Sequence, residues 1–96
     1  MKIKHWQGYG TVNAQKISRT VRNGMVTMVI KVTGDHEWGL VRDDEYDLKN
    51  WLVKRFDKNV TDRQRITYTY EPGYTKTEDG YVESCTYIFQ YYDRDY

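Results

Sequence analysis

Asn23-Gly24, set inside the alternating run Ser18 to Val32, constrains this chain more than any other feature. A two-residue type I′ turn needs positive φ at both central residues, and Asn followed by Gly takes that geometry at least cost. The turn predicts a β-hairpin pairing Arg22 with Met25, Val21 with Val26, Thr20 with Thr27 and Arg19 with Met28. Continued without interruption, it pairs Ser18 with Val29, Ile17 with Ile30, Lys16 with Lys31 and Gln15 with Val32. Side chains alternate between faces along a strand. One face therefore receives Ile17, Val21, Val26, Met28, Ile30 and Val32, with Arg19 and Gln15 as polar intruders. The other receives Lys16, Ser18, Thr20, Arg22, Thr27 and Lys31, with Met25 and Val29. A slip of one residue would bury lysines and expose isoleucines, so the pattern specifies its own register.

Ninety-six residues suffice for one core, and a single domain spanning residues 1–96 is expected. The opening Lys2 to Val12 alternates and predicts a first strand, with Gly8-Tyr9-Gly10 marking a bulge or bend. Those glycines lack the third glycine of a dinucleotide fingerprint and the Gly-Lys-Ser/Thr of a Walker loop. Thr33 to His36 reads as a turn, and Glu37 to Val41 as a short strand or an extended lead. A helix is expected from Asp44 to Lys58, capped by Asp43 or Asp44, with acidic residues in its first turn and basic ones in its last. Leu48, Trp51, Leu52 and Phe56 lie at offsets of 0, 3, 4 and 8 and form its buried stripe. Lys49, Asn50, Lys54 and Asp57 are expected to face outward, and Asn59 to end the helix in a left-handed conformation. Ile66 to Tyr70 alternates as a strand that Glu71-Pro72-Gly73 breaks. Asp79-Gly80 then signals a second hairpin, leading into Tyr81 to Tyr92. There Cys85, Tyr87, Phe89 and Tyr91 share the more apolar face.

These elements predict an α+β domain: one twisted antiparallel β-sheet of 4–6 strands with one α-helix packed across one face. The opposite face, or an exposed edge strand, is where a partner would sit.

Chemistry is sparse. Asp35-His36-Glu37 is the compact ionisable cluster, but a metal site needs three or four ligands and the second histidine is His5. Cys85, the single cysteine, cannot form an intramolecular disulfide and reads as a small buried hydrophobe. No enzyme activity, cofactor or metal is expected. With 15 basic and 14 acidic residues, the charge balance argues against holding duplex DNA by charge alone and against an acidic DNA mimic. No apolar run reaches transmembrane or signal-peptide length, so a cytoplasmic protein without a membrane partner is expected. Ten tyrosines, three tryptophans and two phenylalanines exceed what a small core needs, and the surplus suggests a binding surface.

Two functions remain. One is a protein-binding module, and an inhibitor fits that class. The other is a single-stranded nucleic-acid or nucleotide binder, using sheet aromatics for stacking and basic residues for phosphates. In either case Lys16, Arg22, Lys31, Arg63 and Arg65 are the candidate partner-binding residues. No run matches the aromatic-basic signature of an RNA recognition motif.

Three stretches carry a resemblance: Lys2 to Ala14, Glu37 to Asp44, and Asn50 to Phe56. They resemble small accessory proteins of phages and mobile elements of Gram-positive bacteria, among them anti-CRISPR inhibitors of Cas9-type nucleases. The resemblance implies a stoichiometric inhibitor that binds a bacterial defence protein or its guide-RNA complex. It assigns no residue a role. Pairing of two copies into a homodimer through edge strands is left open.

Overall fold

Asn23 and Gly24 adopt φ of 52° and 79°, so both turn residues hold the positive φ that a type I′ hairpin demands. In the computed structural model, which describes residues 1–4, 10–34, 48–61 and 63–93, this turn joins the two longest strands of the N-terminal half. The described strands are β1 (Lys2–Lys4), β2 (Thr11–Arg22), β3 (Met25–Thr33), β4 (Thr67–Thr77) and β5 (Gly80–Tyr92). They form one antiparallel sheet in the order β1-β2-β3-β5-β4, leaving short β1 and long β4 at its edges. Between β3 and β4, Lys49–Val53 is π-helical and continues into a short α-helix, α1 (Lys54–Phe56). The architecture is thus a five-stranded antiparallel sheet with a short helical segment.

Pairing in the central hairpin follows expectation from Arg22/Met25 to Ser18/Val29, then shifts. Ile17 is an extra residue, and beyond it Lys16 pairs with Ile30, Gln15 with Lys31 and Ala14 with Val32. The reason lies in β2 itself. Arg19 and Val21 share a phase with Val26 and Met28, whereas Val12 and Ala14 occupy the opposite phase of the same strand. A β-bulge reconciles the two, because one inserted residue exchanges the faces of everything beyond it. Ala14 thereby reaches the buried face in place of Gln15. The bulged Ile17, expected in the core, is instead 53% exposed.

Cross-strand partners share a face, so the buried face is defined by Val26, Met28, Ile30 and Val32 of β3 with Cys85, Tyr87, Phe89 and Tyr91 of β5. These belong to one buried cluster with Ile3, Val12 and Ala14, and with Leu48, Trp51, Leu52 and Val53 of the helical segment. The expected stripe holds for Leu48, Trp51 and Leu52, while Phe56 is only partly buried. The Trp51 indole N–H donates to the Lys4 carbonyl at 2.9 Å, tying the helical segment to β1. The largest apolar side chains of β3, β5 and the helical segment lose contact with water together, which is the dominant favourable term in folding.

Several local expectations are corrected. Lys49 is buried, with its ammonium donating to the Gln64 carbonyl at 2.6 Å. A long aliphatic stem lets lysine cross an apolar layer when its charged end finds an acceptor. Asp57 also turns inward, toward Arg19 and Tyr91. The helix ends at Asp57, whose backbone is extended, and Asn59 has no left-handed φ. Its N–H donates to Asp57 Oδ1 instead. Glu71-Pro72-Gly73 does not break β4, which pairs with β5 without a register shift. Proline is tolerated there because β4 is an edge strand, with backbone positions that face no neighbour. The opening strand expected over Lys2 to Val12 divides into β1 and the start of β2, which pair antiparallel through Lys4 and Thr11. Gly10, at φ 77°, immediately precedes β2. The Glu37 to Val41 strand, the Asp35-His36-Glu37 cluster, His5 and the helix start at Asp44 lie outside the described residues. Among the described residues, no helix is long and apolar enough to cross a membrane.

Candidate functional surfaces

The sheet separates the two ingredients of a binding surface, aromatic rings and cations. The rings gather on β4 and β5. Tyr68 stacks on Tyr70 along β4 with centroids 6.2 Å apart, and Tyr87 stacks on Phe89 along β5 at 5.9 Å. Tyr68 to Phe89 at 6.3 Å and Tyr70 to Tyr87 at 6.5 Å close the figure into a four-ring square. Tyr87 and Phe89 are inaccessible, whereas Tyr70 is 42% exposed, so the square leads from core to surface.

Beyond it the hairpin becomes an arm. Among the described residues, β5 pairs with β3 from Ser84 to Tyr92, with a further Gly34 N–H bond to the Glu83 carbonyl. The stretch from Tyr74 through the turn to Tyr81 runs past that pairing. Tyr74 and Tyr81 on this arm are 76% and 70% exposed. Glu71, Glu78, Asp79 and Glu83 flank them in sequence, with Lys76 as the one cation between residues 70 and 84, so this stretch carries a net charge of −3.

The five basic residues expected to bind a partner do not form one patch. Arg22 and Lys31 lie on the face opposite the core, in register with Met25 and with Gln15 respectively. Lys16 does not join them: the bulge pairs it with Ile30 and moves it to the buried side of the sheet, at an exposed position. Arg63 and Arg65 are exposed in the connection before β4. Gln64, between them, donates to the Tyr92 carbonyl at 2.8 Å, which anchors that connection at the hairpin-turn end of the sheet.

A polar cluster joins the helical segment to the sheet. Asp57 Oδ2 accepts from the Tyr91 hydroxyl at 2.6 Å and from Arg19 Nη2 at 3.2 Å. Asp93 lies 3.8 Å from the same guanidinium. Burial alone would raise the Asp57 pKa, but the bonds from Tyr91, Arg19 and the Asn59 N–H outweigh it and hold the carboxyl below its ordinary value. Burial, reinforced by the neighbouring carboxylate, pushes the Tyr91 phenol far above its ordinary value. Both shifts fix the groups in the forms that bond to each other, as expected of a structural clasp. Arg19, an intruder on the apolar face in the sequence, was the signal for it. Burial also raises the Cys85 thiol above its ordinary pKa, away from the thiolate that nucleophilic chemistry requires. Among the described residues, no group of three or more His, Cys, Asp or Glu side chains could hold a metal ion.

No family model matches this chain, and neither a curated protein nor a solved structure matches it.

Proposed function

We propose that this chain is a non-catalytic binding protein that docks a protein partner on the β4/β5 arm. In this reading it is a cytoplasmic anti-defence inhibitor of the phage or mobile-element kind its sequence resembles. Its partner is then a bacterial defence protein, such as a Cas9-type nuclease or its guide-RNA complex. The helical segment lies across the buried face, leaving the arm and the opposite face for partners. The exposure of Tyr74 and Tyr81 on a two-stranded projection is the observation that supports docking there. Tyrosine offers a large, stiff, amphipathic contact, and such side chains concentrate binding energy at interface centres. The flanking carboxylates make a basic protein surface the complementary partner.

The test is phage challenge of a bacterium carrying a Cas9-type system, with and without this protein. Restored plaque formation at unchanged nuclease abundance supports the inhibitor reading, and the Tyr74→Ala/Tyr81→Ala variant should lose it. Plaque counts unaffected by the protein would reject the anti-defence reading.

A further inference from the structure

Charge is distributed unevenly along this chain: its first acidic residue is Asp35, and six Lys and Arg residues precede it. The strands β1, β2 and β3 consequently contain no carboxylate. Four of the six cations share the face opposite the core. Lys2 and Lys4 flank the buried Ile3 and so point away from it. Arg22 pairs with Met25, and Lys31 lies between Ile30 and Val32, whose side chains point into the core. Among the described residues, none of the four forms an ion pair.

The groups between these cations are chiefly hydroxyls and amides: Asn13, Gln15, Ser18 and Thr20 lie on this face of β2. Lys and Arg together with Ser, Thr, Asn and Gln are the side chains that contact phosphate and sugar. None of the three strands contains an aromatic residue, and among the described residues the exposed Tyr92 of β5, opposite Met25, is the one ring bordering this face, so serial stacking of bases is not what it offers. From Asn13, beside Lys2, to Arg22 the strand covers about 26 Å at 3.3 Å per paired residue. That span suits an extended chain of phosphates better than a single nucleotide. The apolar side chains of β3 on this face, Met25 and Val29, are half-buried, which leaves little of the wedge with which amphipathic surfaces enter a lipid interface.

We propose that the face of β1–β3 opposite the core binds the phosphate backbone of a single-stranded nucleic acid, without reading its sequence. This site is separate from the tyrosine arm, and it gives an inhibitor of a nucleoprotein a second contact on the nucleic-acid component.

The experiment is fluorescence anisotropy of a labelled 20-nucleotide single strand of mixed sequence, as DNA and as RNA, titrated with the full chain at several salt concentrations. Four phosphate contacts predict a log–log salt slope of about −3, a loss of about 50-fold between 50 and 200 mM salt. Lys2→Gln/Lys4→Gln and Arg22→Gln/Lys31→Gln should each remove about half of that slope, and both pairs combined should abolish binding. Tyr74→Ala/Tyr81→Ala should bind the oligonucleotide like the parent, so failure of the arm reading leaves this result intact. Absence of binding at 50 mM salt, affinity insensitive to salt, or undiminished binding by the paired variants overturns the proposal. Binding to anionic phosphatidylserine vesicles but not to either oligonucleotide overturns it in favour of a membrane surface.

Discussion

The phenolic hydroxyl of Tyr91, on β5, donates to Asp57 Oδ2 across 2.6 Å, at the point where the helical segment ends. A hydrogen bond to a charged acceptor in a partly buried setting contributes about 1.5–3 kcal/mol. Tyr91→Phe should lower stability by that amount in denaturant titration. Arg19→Gln removes a more exposed partner and should cost under about 1 kcal/mol.

The same pair predicts two limbs of a stability–pH profile. Asp57 has a folded pKa below its unfolded value of about 3.9. Its contribution is therefore present above that value and lost as pH falls through the folded one. Tyr91 has a folded pKa above its unfolded value of about 10. Its contribution is present below pH 10 and lost as pH rises beyond it. Thermal melts should show Asp57→Asn flattening the acid limb and Tyr91→Phe flattening the alkaline one.

Trp51 combines burial with a bond to the Lys4 carbonyl. Trp51→Ala should cost about 3–5 kcal/mol and Trp51→Phe substantially less, measured by urea unfolding. A Trp51→Ala protein of parental stability would show that the helical segment does not complete the core.

Tyr74 and Tyr81 have little to lose on truncation, being largely exposed. Alanine at both positions should leave stability within about 0.5 kcal/mol per site. Partner affinity, read by surface plasmon resonance once the partner is in hand, should fall at least about 30-fold if either is a hot spot.

Deletion of Ile17 is an unusual case. Removing a residue from mid-strand normally reverses the faces beyond it. Here it removes the bulged residue itself, so Ser18/Val29 is followed directly by Lys16/Ile30 and Ala14 still opposes Val32. The deletion variant should fold with the parental circular-dichroism spectrum.

Much of this was legible in the residues. Asn23-Gly24 determined the hairpin tip, and the Leu48, Trp51, Leu52 spacing located the buried helical stripe. The alternation of β5 identified Cys85, Tyr87, Phe89 and Tyr91 as core. The bulge was harder to see, because simple continuation from the turn sets Ile17 against Ile30 on the core face, and only the phase of Val12 and Ala14 betrays the shift. Lys49 and Asp57 were misplaced because their acceptor and donors come from distant parts of the chain, which helical periodicity does not encode. The surface was legible in kind, as surplus tyrosine and scattered cations. Their separation onto different parts of the sheet depends on strand order, which no local pattern specifies.

The bulge at Ile17 also bears on how the hairpin assembles. Pairing that starts at Asn23-Gly24 closes five rungs in one register, and simple continuation would set Gln15 against Val32. The native arrangement requires the growing ladder to skip a residue, and burial of Ala14 and Val12 is what rewards the skip. The outer half of β2 is therefore held in its native register by the core that Val12 and Ala14 meet, and not by the turn from which the hairpin is paired.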